Sequence, residues 1–241
     1  MGSGKRREAV IEHKIPELKD NIRIIHLGGV EEVGKNMSLI EYKDTILVID
    51  CGFQFTEDST PGIDYILPNT KYLEERKHKI KAVFITHGHL DHIGWIPYIM
   101  DRRGNPPIYT RQFTGLMIKK RQEEFPHSPA LDLRIVEKGE RLPMGDLKVS
   151  FFAVSHSIPD AMGIIIETPY GDIVHTGDLR LDHLEGEVSE IERNVYEEFK
   201  NRNVLLLMTD STNAENPGFS ISERLVEQNI DTIIRDTKGR L

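Results

Sequence analysis

The sequence of 241 residues has one cysteine, one tryptophan, no long apolar run and no excess of positive charge. A lone cysteine cannot form an internal disulfide, which argues against a disulfide-stabilised secreted domain and indicates a reducing, cytoplasmic compartment. We therefore expect Cys51 to be a small buried hydrophobe at the end of a strand.

The sequence also lacks a stretch that could span a membrane. No apolar stretch approaches the roughly 18 residues that a membrane-spanning helix needs. Basic residues near the N-terminus have no apolar stretch behind them, so we expect no secretory signal. The sequence therefore predicts a protein without a membrane partner.

The formal net charge is −8, so affinity for a nucleic acid could not come from overall basicity. Metal ions or local basic patches would have to supply it. The length fits one large domain or two small ones, and the hydrophobic share of 38% is ordinary for a globular protein.

Periodicity predicts an α/β protein that begins with a polar arm over residues 1–21. Apolar, β-branched stretches predict strands at 22–27, 37–42, 45–50, 81–86, 107–110, 133–136, 147–154, 163–167, 172–175 and 204–208. Helices are expected at 70–77, from 91 or 92 onward, at 111–125 (amphipathic), at 187–201 and at 220–237. This order predicts two sheets packed face to face with helices outside, and strand 204–208 is expected to be buried.

The most informative feature is one hexapeptide that contains His87, His89, Asp91 and His92. Imidazole nitrogens and carboxylate oxygens are the ligands of Zn²⁺. A strand is predicted before the hexapeptide and a helix after it, where chemistry is usual in layered α/β proteins. A His-rich surface loop or a tag remnant is the plain alternative, but a tag would be terminal and not flanked by core elements.

The spacing within the hexapeptide suggests two ions. His87 and His89 are two residues apart and can point the same way from an extended segment. Asp91 and His92 belong to the next bend, so they can face a second ion beside the first. These four residues are our first candidates for metal ligands.

Two further candidates follow other predicted strands. His156 follows strand 147–154, and Asp178 follows strand 172–175 in a Gly-Asp turn. Taken alone, a His or Asp in such a place is more often a cap or turn residue. With the hexapeptide already in place, we predict that both side chains converge on the same site.

Other patterns are weaker. A Ser-His-Asp triad among Ser155, His156 and Asp160 is disfavoured, because such groups must meet in space rather than in sequence. Gly28-Gly29 and Gly34 fit tight turns better than a phosphate loop. A set of basic residues could touch the phosphates of a nucleic acid, although its pattern favours a solvated helix face. These residues are Arg102, Arg103, Lys119, Lys120 and Arg121.

Together, His-x-His-x-Asp-His, the later His and the later Gly-Asp resemble the metallo-β-lactamase superfamily, whose fold is an αββα sandwich of two mixed sheets. Asp50, after strand 45–49, matches that family's first acidic motif. Segments 27–37, 155–160 and 209–215 narrow the resemblance to ribonuclease J, of the β-CASP group of nucleases. The resemblance covers about residues 22–241.

The resemblance implies roles for the candidate residues. His87, His89 and His156 would hold one zinc ion, Asp91 and His92 a second, and Asp178 would bridge them. Up to two Zn²⁺ are implied, with Mn²⁺ or Mg²⁺ as alternatives. Asp50 would orient the site, so that Asp50, Asp91 and Asp178 form the catalytic set, and Asp210 would be the first acidic residue of the β-CASP motifs.

The implied activity is hydrolysis of RNA, both internally and from the 5′ end, as in rRNA processing, by a cytoplasmic enzyme that forms homo-oligomers at full length. We expect a metallo-β-lactamase domain over 22–208 and the start of a truncated β-CASP domain over 209–241, because the family continues well beyond this length. Its last histidine ligand would then be missing. The alternatives are a metallo-hydrolase of thioesters or lactams, and a non-catalytic metal-binding fragment or scaffold.

Overall fold

The computed structural model describes residues 15–56, 62–100, 104–184 and 186–240, and the strands form two main sheets. The first half of the chain contains β1 (Arg23–Gly28), β2 (Met37–Tyr42), β3 (Thr45–Ile49), β4 (Gln54–Phe55), β5 (Tyr65–Ile66), β6 (Ile80–Phe84), β7 (Ile108–Thr110) and β8 (Leu133–Ile135). The first sheet has the order β1-β2-β3-β6-β7-β8 and is antiparallel up to β3 and parallel beyond it. Strands β4 and β5 pair separately.

The second sheet comes from the later part of the chain. Its strands are β9 (Arg141–Met144), β10 (Leu147–Ala153), β11 (Met162–Thr168), β12 (Gly171–His175) and β15 (Val204–Met208). A small separate hairpin consists of β13 (His183–Leu184) and β14 (Glu187–Val188). The order is β15-β12-β11-β10-β9, antiparallel except for the β12–β15 pair. Both sheets are therefore mixed, as predicted.

Short helices flank the sheets. They are α1 (Lys71–Glu75), α2 (Leu90–Ile93), α3 (Ile96–Ile99), α4 (Gln112–Gln122), α5 (Glu190–Tyr196) and α6 (Glu223–Asp236), with 3-10 turns at Lys77–Lys79 and Glu197–Asn201. None of the helices within the described ranges is both long enough and apolar enough to span a membrane.

Alternating side chains separate four layers. Val48 on β3 packs with Ile96 of α3 in an outer cluster, whereas its neighbour Leu47 packs with Phe151 of β10 between the sheets. Phe152, next along β10, points the other way into a third cluster with residues of α5. The period of two along each strand thus places helices outside and two sheets inside, which confirms the predicted αββα sandwich.

Some local predictions were wrong. The segment 187–201 begins with β14, the second strand of the β13–β14 hairpin. Its helix starts only after Ser189, whose side chain accepts a hydrogen bond from the Glu192 amide at 3.3 Å. Helix α4 is only weakly amphipathic, because Thr114 and Gly115 lie on its buried face whereas Phe113 and Leu116 are exposed. Strands β4, β5 and β9 were not predicted.

The expectation that strand 204–208 is buried holds for only one of its faces. β15 is an edge strand that pairs with β12 on one side. Leu206 and Met208 pack partly against the core between the sheets, but Leu205 and Leu207 face away and are 52% and 57% exposed. Hydrophobicity marked the strand correctly, but it does not tell what covers each face.

Two further predictions fall wholly or partly on undescribed residues. Of the arm 1–21, residues 1–14 lie outside the described residues, and 15–21 have no regular secondary structure. Arg102 and Arg103 also lie outside them. Cys51, two residues beyond the end of β3, is 2% exposed, as predicted for a small buried hydrophobe.

Candidate metal centre

Four strand ends position the site at one edge of the sandwich. Asp50 directly follows β3, and Thr86 lies two residues beyond the end of β6, directly before His87. The Met162 amide, at the start of β11, donates to the Thr86 carbonyl at 2.9 Å, which joins the two sheets at this edge. Loops after β10 and β12 bring in the remaining side chains.

Three imidazoles form the first cluster. The Nδ1 atom of His89 lies 3.0 Å from Nε2 of His87 and 3.3 Å from Nε2 of His156. One oxygen of Asp178, Oδ2, lies 3.8 Å from His87 Nε2 and 3.7 Å from His156 Nε2. Three nitrogen atoms and one carboxylate oxygen therefore face a common point.

A second cluster shares two of these residues. It consists of His87, His92 and Asp178, and its ligand atoms lie within 4.8 Å of one another. The other oxygen of Asp178, Oδ1, lies 3.4 Å from Nε2 of His92. Asp91 stands further out, with Oδ2 3.4 Å from the same nitrogen. Asp178 thus presents one oxygen to each cluster, the arrangement that a bridging ligand requires.

Asp50 orients the second cluster without facing it. Its Oδ2 lies 2.8 Å from Nδ1 of His92, so that Nδ1 donates to the carboxylate. In the neutral tautomer of His92 that this bond favours, Nε2 presents a lone pair to the cluster. Asp50 is 1% exposed and has a φ of +62°, a left-handed conformation that costs free energy for a residue with a side chain. Such an outlier persists only when its surroundings fix it.

Thr86 contributes an interaction that the sequence did not predict. Its hydroxyl lies 3.0 Å from each oxygen of Asp50 and 3.0 Å from Nδ1 of His87, and its backbone amide donates to Asp50. If the hydroxyl donates to the carboxylate, it accepts from His87 Nδ1 and leaves Nε2 free for a metal. In the sequence, only the position of Thr86 directly before the hexapeptide indicates this role.

The pKa values of the cluster's side chains are shifted in different directions. Burial, helped by the neighbouring His92, lowers the pKa of the His87 imidazole to about 3, so His87 is neutral. Burial alone would raise the pKa of Asp178, but its hydrogen bond to His92 and the surrounding histidines lower it to about 2. His92 is deeply buried, yet the carboxylates of Asp50 and Asp178 raise its pKa.

The donor set fits a divalent metal ion. Neutral imidazoles and an ionised carboxylate are the protein ligands that such ions bind. The hexapeptide residues, His156 and Asp178 are all brought together by the structure, with Asp91 at the margin. Their individual roles as ligands remain a prediction.

A cleft of about 810 Å³ opens beside the second cluster. Its acidic lining residues are Glu31, Glu32, Asp50, Asp91, Asp178, Asp210 and Glu215. Among the residues that the structure describes, no lysine or arginine lines this cleft. Asp210 is held at its wall by backbone amides of Leu179 at 3.3 Å and Thr212 at 2.7 Å. Glu32 pairs with Lys35 at 2.8 Å, and the remaining carboxylates give the cleft a negative lining.

Weaker sequence patterns prove to be structural. Asp160 accepts hydrogen bonds from Arg111 and from the Phe113 amide at the start of α4, so it is engaged there rather than in a triad. Gly29 and Gly34 have φ of +85° and +99°, which are turn conformations that glycine adopts without strain.

The basic cluster on α4 is neutralised by acidic neighbours. Lys120 pairs with Glu123 at 2.6 Å, and Arg121 pairs with Glu124. Lys119 is exposed. The cluster is thus a solvated helix face, the reading that its pattern favoured.

Gly52 supports the site through close backbone packing, and replacing it should be costly. A Cβ atom there would lie 1.5 Å from the Asp91 carbonyl oxygen. We expect Gly52→Ala to lower the free energy of unfolding by about 3 kcal/mol or more and to displace the hexapeptide loop. Urea unfolding would measure this, with Gly239→Ala as control, since nothing lies within 4 Å of its Cβ position. Equal stability of the two variants would contradict the packing.

The four-layer sandwich with this loop at its edge defines the class of protein. A model of the metallo-beta-lactamase superfamily matches residues 30–219, so the chain belongs to that superfamily. Solved structures agree on the fold: a protein of unknown function from Enterococcus faecalis gives a TM-score of 0.66 at 22% identity, over 88% of this chain and 57% of that one. The Rm3 metallo-beta-lactamase gives 0.50 at 14% identity, over 88% and 81%.

Several proteins named ribonuclease J or J2 have a higher sequence identity to this chain. The chain is 42% identical to ribonuclease J of Mycoplasma pneumoniae over 92% of this chain and 39% of that protein. It is 38% identical to ribonuclease J of Thermus thermophilus over 92% and 40%, and 36% identical to ribonuclease J2 of Bacillus subtilis over 92% and 40%. This confirms the resemblance to ribonuclease J. The chain spans about 40% of the length of these relatives.

Proposed function

We propose that this chain is the catalytic part of a metal-dependent ribonuclease of the ribonuclease J type, which hydrolyses RNA internally and from the 5′ end. The observation that carries the proposal is the identity of 36% to 42% with proteins of that name over 92% of the chain. The convergence of imidazoles and carboxylates at the sheet edge supports it independently.

The proposed ligands divide between two ions, with zinc preferred because imidazole nitrogens dominate. His87, His89 and His156 would hold the first, Asp91 and His92 the second, and Asp178 would bridge them. Bound divalent ions supply polarisation of a phosphate and hydroxide at neutral pH. The chain's own part is to fix this geometry, and Asp50 does so through its hydrogen bond to His92.

We further propose a domain boundary near residue 208. Strand β15 is the last one that pairs with the second sheet. Beyond it, α6 has no buried residue, and Ile230 and Ile233 on it are 51% and 58% exposed. This supports a metallo-β-lactamase domain over 22–208 and the start of a β-CASP domain from 209 onward.

A panel of three labelled substrates tests the function. The zinc- or manganese-loaded chain is incubated at high concentration with 5′-monophosphorylated RNA, a thioester and a chromogenic lactam. We expect slow hydrolysis of RNA alone, abolished by His89→Ala and unaffected by the exposed-histidine control His127→Ala. Hydrolysis of the thioester or lactam without RNA cleavage would refute the proposal, and hydrolysis of none would favour a non-catalytic metal-binding fragment.

A further inference from the structure

Asn36, which the sequence did not single out, is held against the candidate metal centre by its backbone. It follows a turn in which Gly34 and Lys35 have φ of +99° and +54°. Its amide donates to the Asp91 carbonyl at 3.0 Å, and its carbonyl accepts from the Gly52 amide at 3.0 Å. The Asn36 backbone is therefore fixed to the hexapeptide loop through Asp91 and to the loop after β3 through Gly52.

The side-chain amide lies between two of the proposed ligands. Nδ2 of Asn36 is 3.0 Å from Oδ2 of Asp91 and 3.0 Å from Nε2 of His92. Those two ligand atoms are themselves 3.4 Å apart. Nδ2 donates one N–H group to the Asp91 carboxylate, and in the neutral tautomer of His92, in which Nδ1 donates to Asp50, Nε2 accepts the second N–H group. The amide nitrogen thus sits beside the point that an ion shared by Asp91 and His92 would face.

We propose that Asn36 is a two-state residue of the second metal position. Without an ion, its Nδ2 donates to Asp91 and, when His92 is neutral, to Nε2 of His92. With an ion, the amide turns about its Cβ–Cγ bond and presents Oδ1 as an additional oxygen ligand. This inference deepens the proposed function and rests on the metal centre assigned there.

Space and chemistry both allow the turn. The amide NH₂ and oxygen are nearly the same size, so exchanging them requires little new volume. Oδ1 now points at Gly29, where a Cβ atom would lie only 2.3 Å from it, so the absence of a side chain there leaves room for either end. An amide oxygen is a neutral ligand, so it would add an oxygen to the second position without adding charge.

Zinc titration of the metal-free chain tests the role. By calorimetry, we expect two binding steps, with the first unaffected by substitution at this position. Asn36→Ala should weaken the second step about tenfold, the scale of a lost supporting interaction at a metal site, whereas Asn36→Asp, which supplies a charged oxygen, should strengthen it. Asn229→Ala on α6 serves as the matched control. A second step in Asn36→Ala as strong as in the wild type would overturn the proposal.

Side-chain NMR gives a readout that does not depend on activity or on a variant. The Nδ2–H₂ signals of Asn36 should stay in place on the first equivalent of zinc and move on the second. Signals unmoved by the second equivalent would show that the amide keeps its donating state and would overturn the proposal. A wild-type chain that binds only one ion would also overturn it, yet would leave the first cluster and the RNA assay standing.

Discussion

Replacing Asp178 with alanine should damage metal binding more than replacing Asp50. The two oxygens of Asp178 face both clusters, at 3.4 Å from His92 and 3.7 Å from His156. Asp50 instead contacts Nδ1 of His92, whereas Nε2 is the ring nitrogen that faces the second cluster. Losing an orienting partner typically costs about 10- to 100-fold in metal affinity, and losing a bridging ligand should cost more, for both ions.

Zinc affinity of the two variants, measured by competition with a chelator, checks this prediction. Because Asp50 is buried and accepts bonds from Thr86, Asp50→Ala also risks loss of stability. Asp50→Asn, which keeps an acceptor oxygen, separates that effect from metal binding. Equal metal loss from Asp178→Ala and Asp50→Ala, in variants that remain folded, would mean that Asp50 is itself a ligand.

The second large effect concerns RNA. We expect the 241-residue chain to cleave 5′-monophosphorylated RNA at least about 100-fold more slowly than the full-length ribonuclease J of Thermus thermophilus, because productive cleavage needs groups that grip and align the strand. The cleft beside the second cluster has acidic walls and no described lysine or arginine. The net charge of −8 opposes phosphate binding as well.

Charge reversal in the cleft tests this electrostatic cause. Glu31→Lys with Glu215→Lys should raise RNA affinity severalfold at low salt, and the gain should shrink as salt increases. Glu227→Lys on α6, which does not line the cleft, is the control for net charge. Turnover by the unmodified chain comparable with that of the longer enzyme would refute the explanation.

The sequence predicted most of the fold because buried strands carry a clear hydrophobic period. It also pointed to the hexapeptide, His156 and Asp178, since imidazoles and carboxylates at strand ends have few structural uses together. The sequence did not predict Asn36 or Thr86, because amide and hydroxyl side chains are common. Their roles depend on contacts with residues distant in sequence, 55 residues apart for Asn36–Asp91 and 36 for Thr86–Asp50.

The errors have a physical origin as well. Leu205 and Leu207 on β15 have the same hydrophobicity as core residues, but a strand at a sheet edge can leave one face exposed. The β13–β14 hairpin has strands of two residues each, too short for a period to be seen. Helix α4 exposes the apolar side chains of Phe113 and Leu116, so the positions of its apolar residues in the sequence do not mark its buried face.

We expect the imidazole cluster to bind a divalent metal ion. The most direct test is the zinc content of the chain after loading and prolonged dialysis against metal-free buffer at neutral pH. We predict nearer one zinc ion per chain than two, nearer none for His89→Ala, and an unchanged value for His127→Ala. A wild-type chain that retains no zinc, or a His89→Ala variant that retains as much as the wild type, would contradict the account.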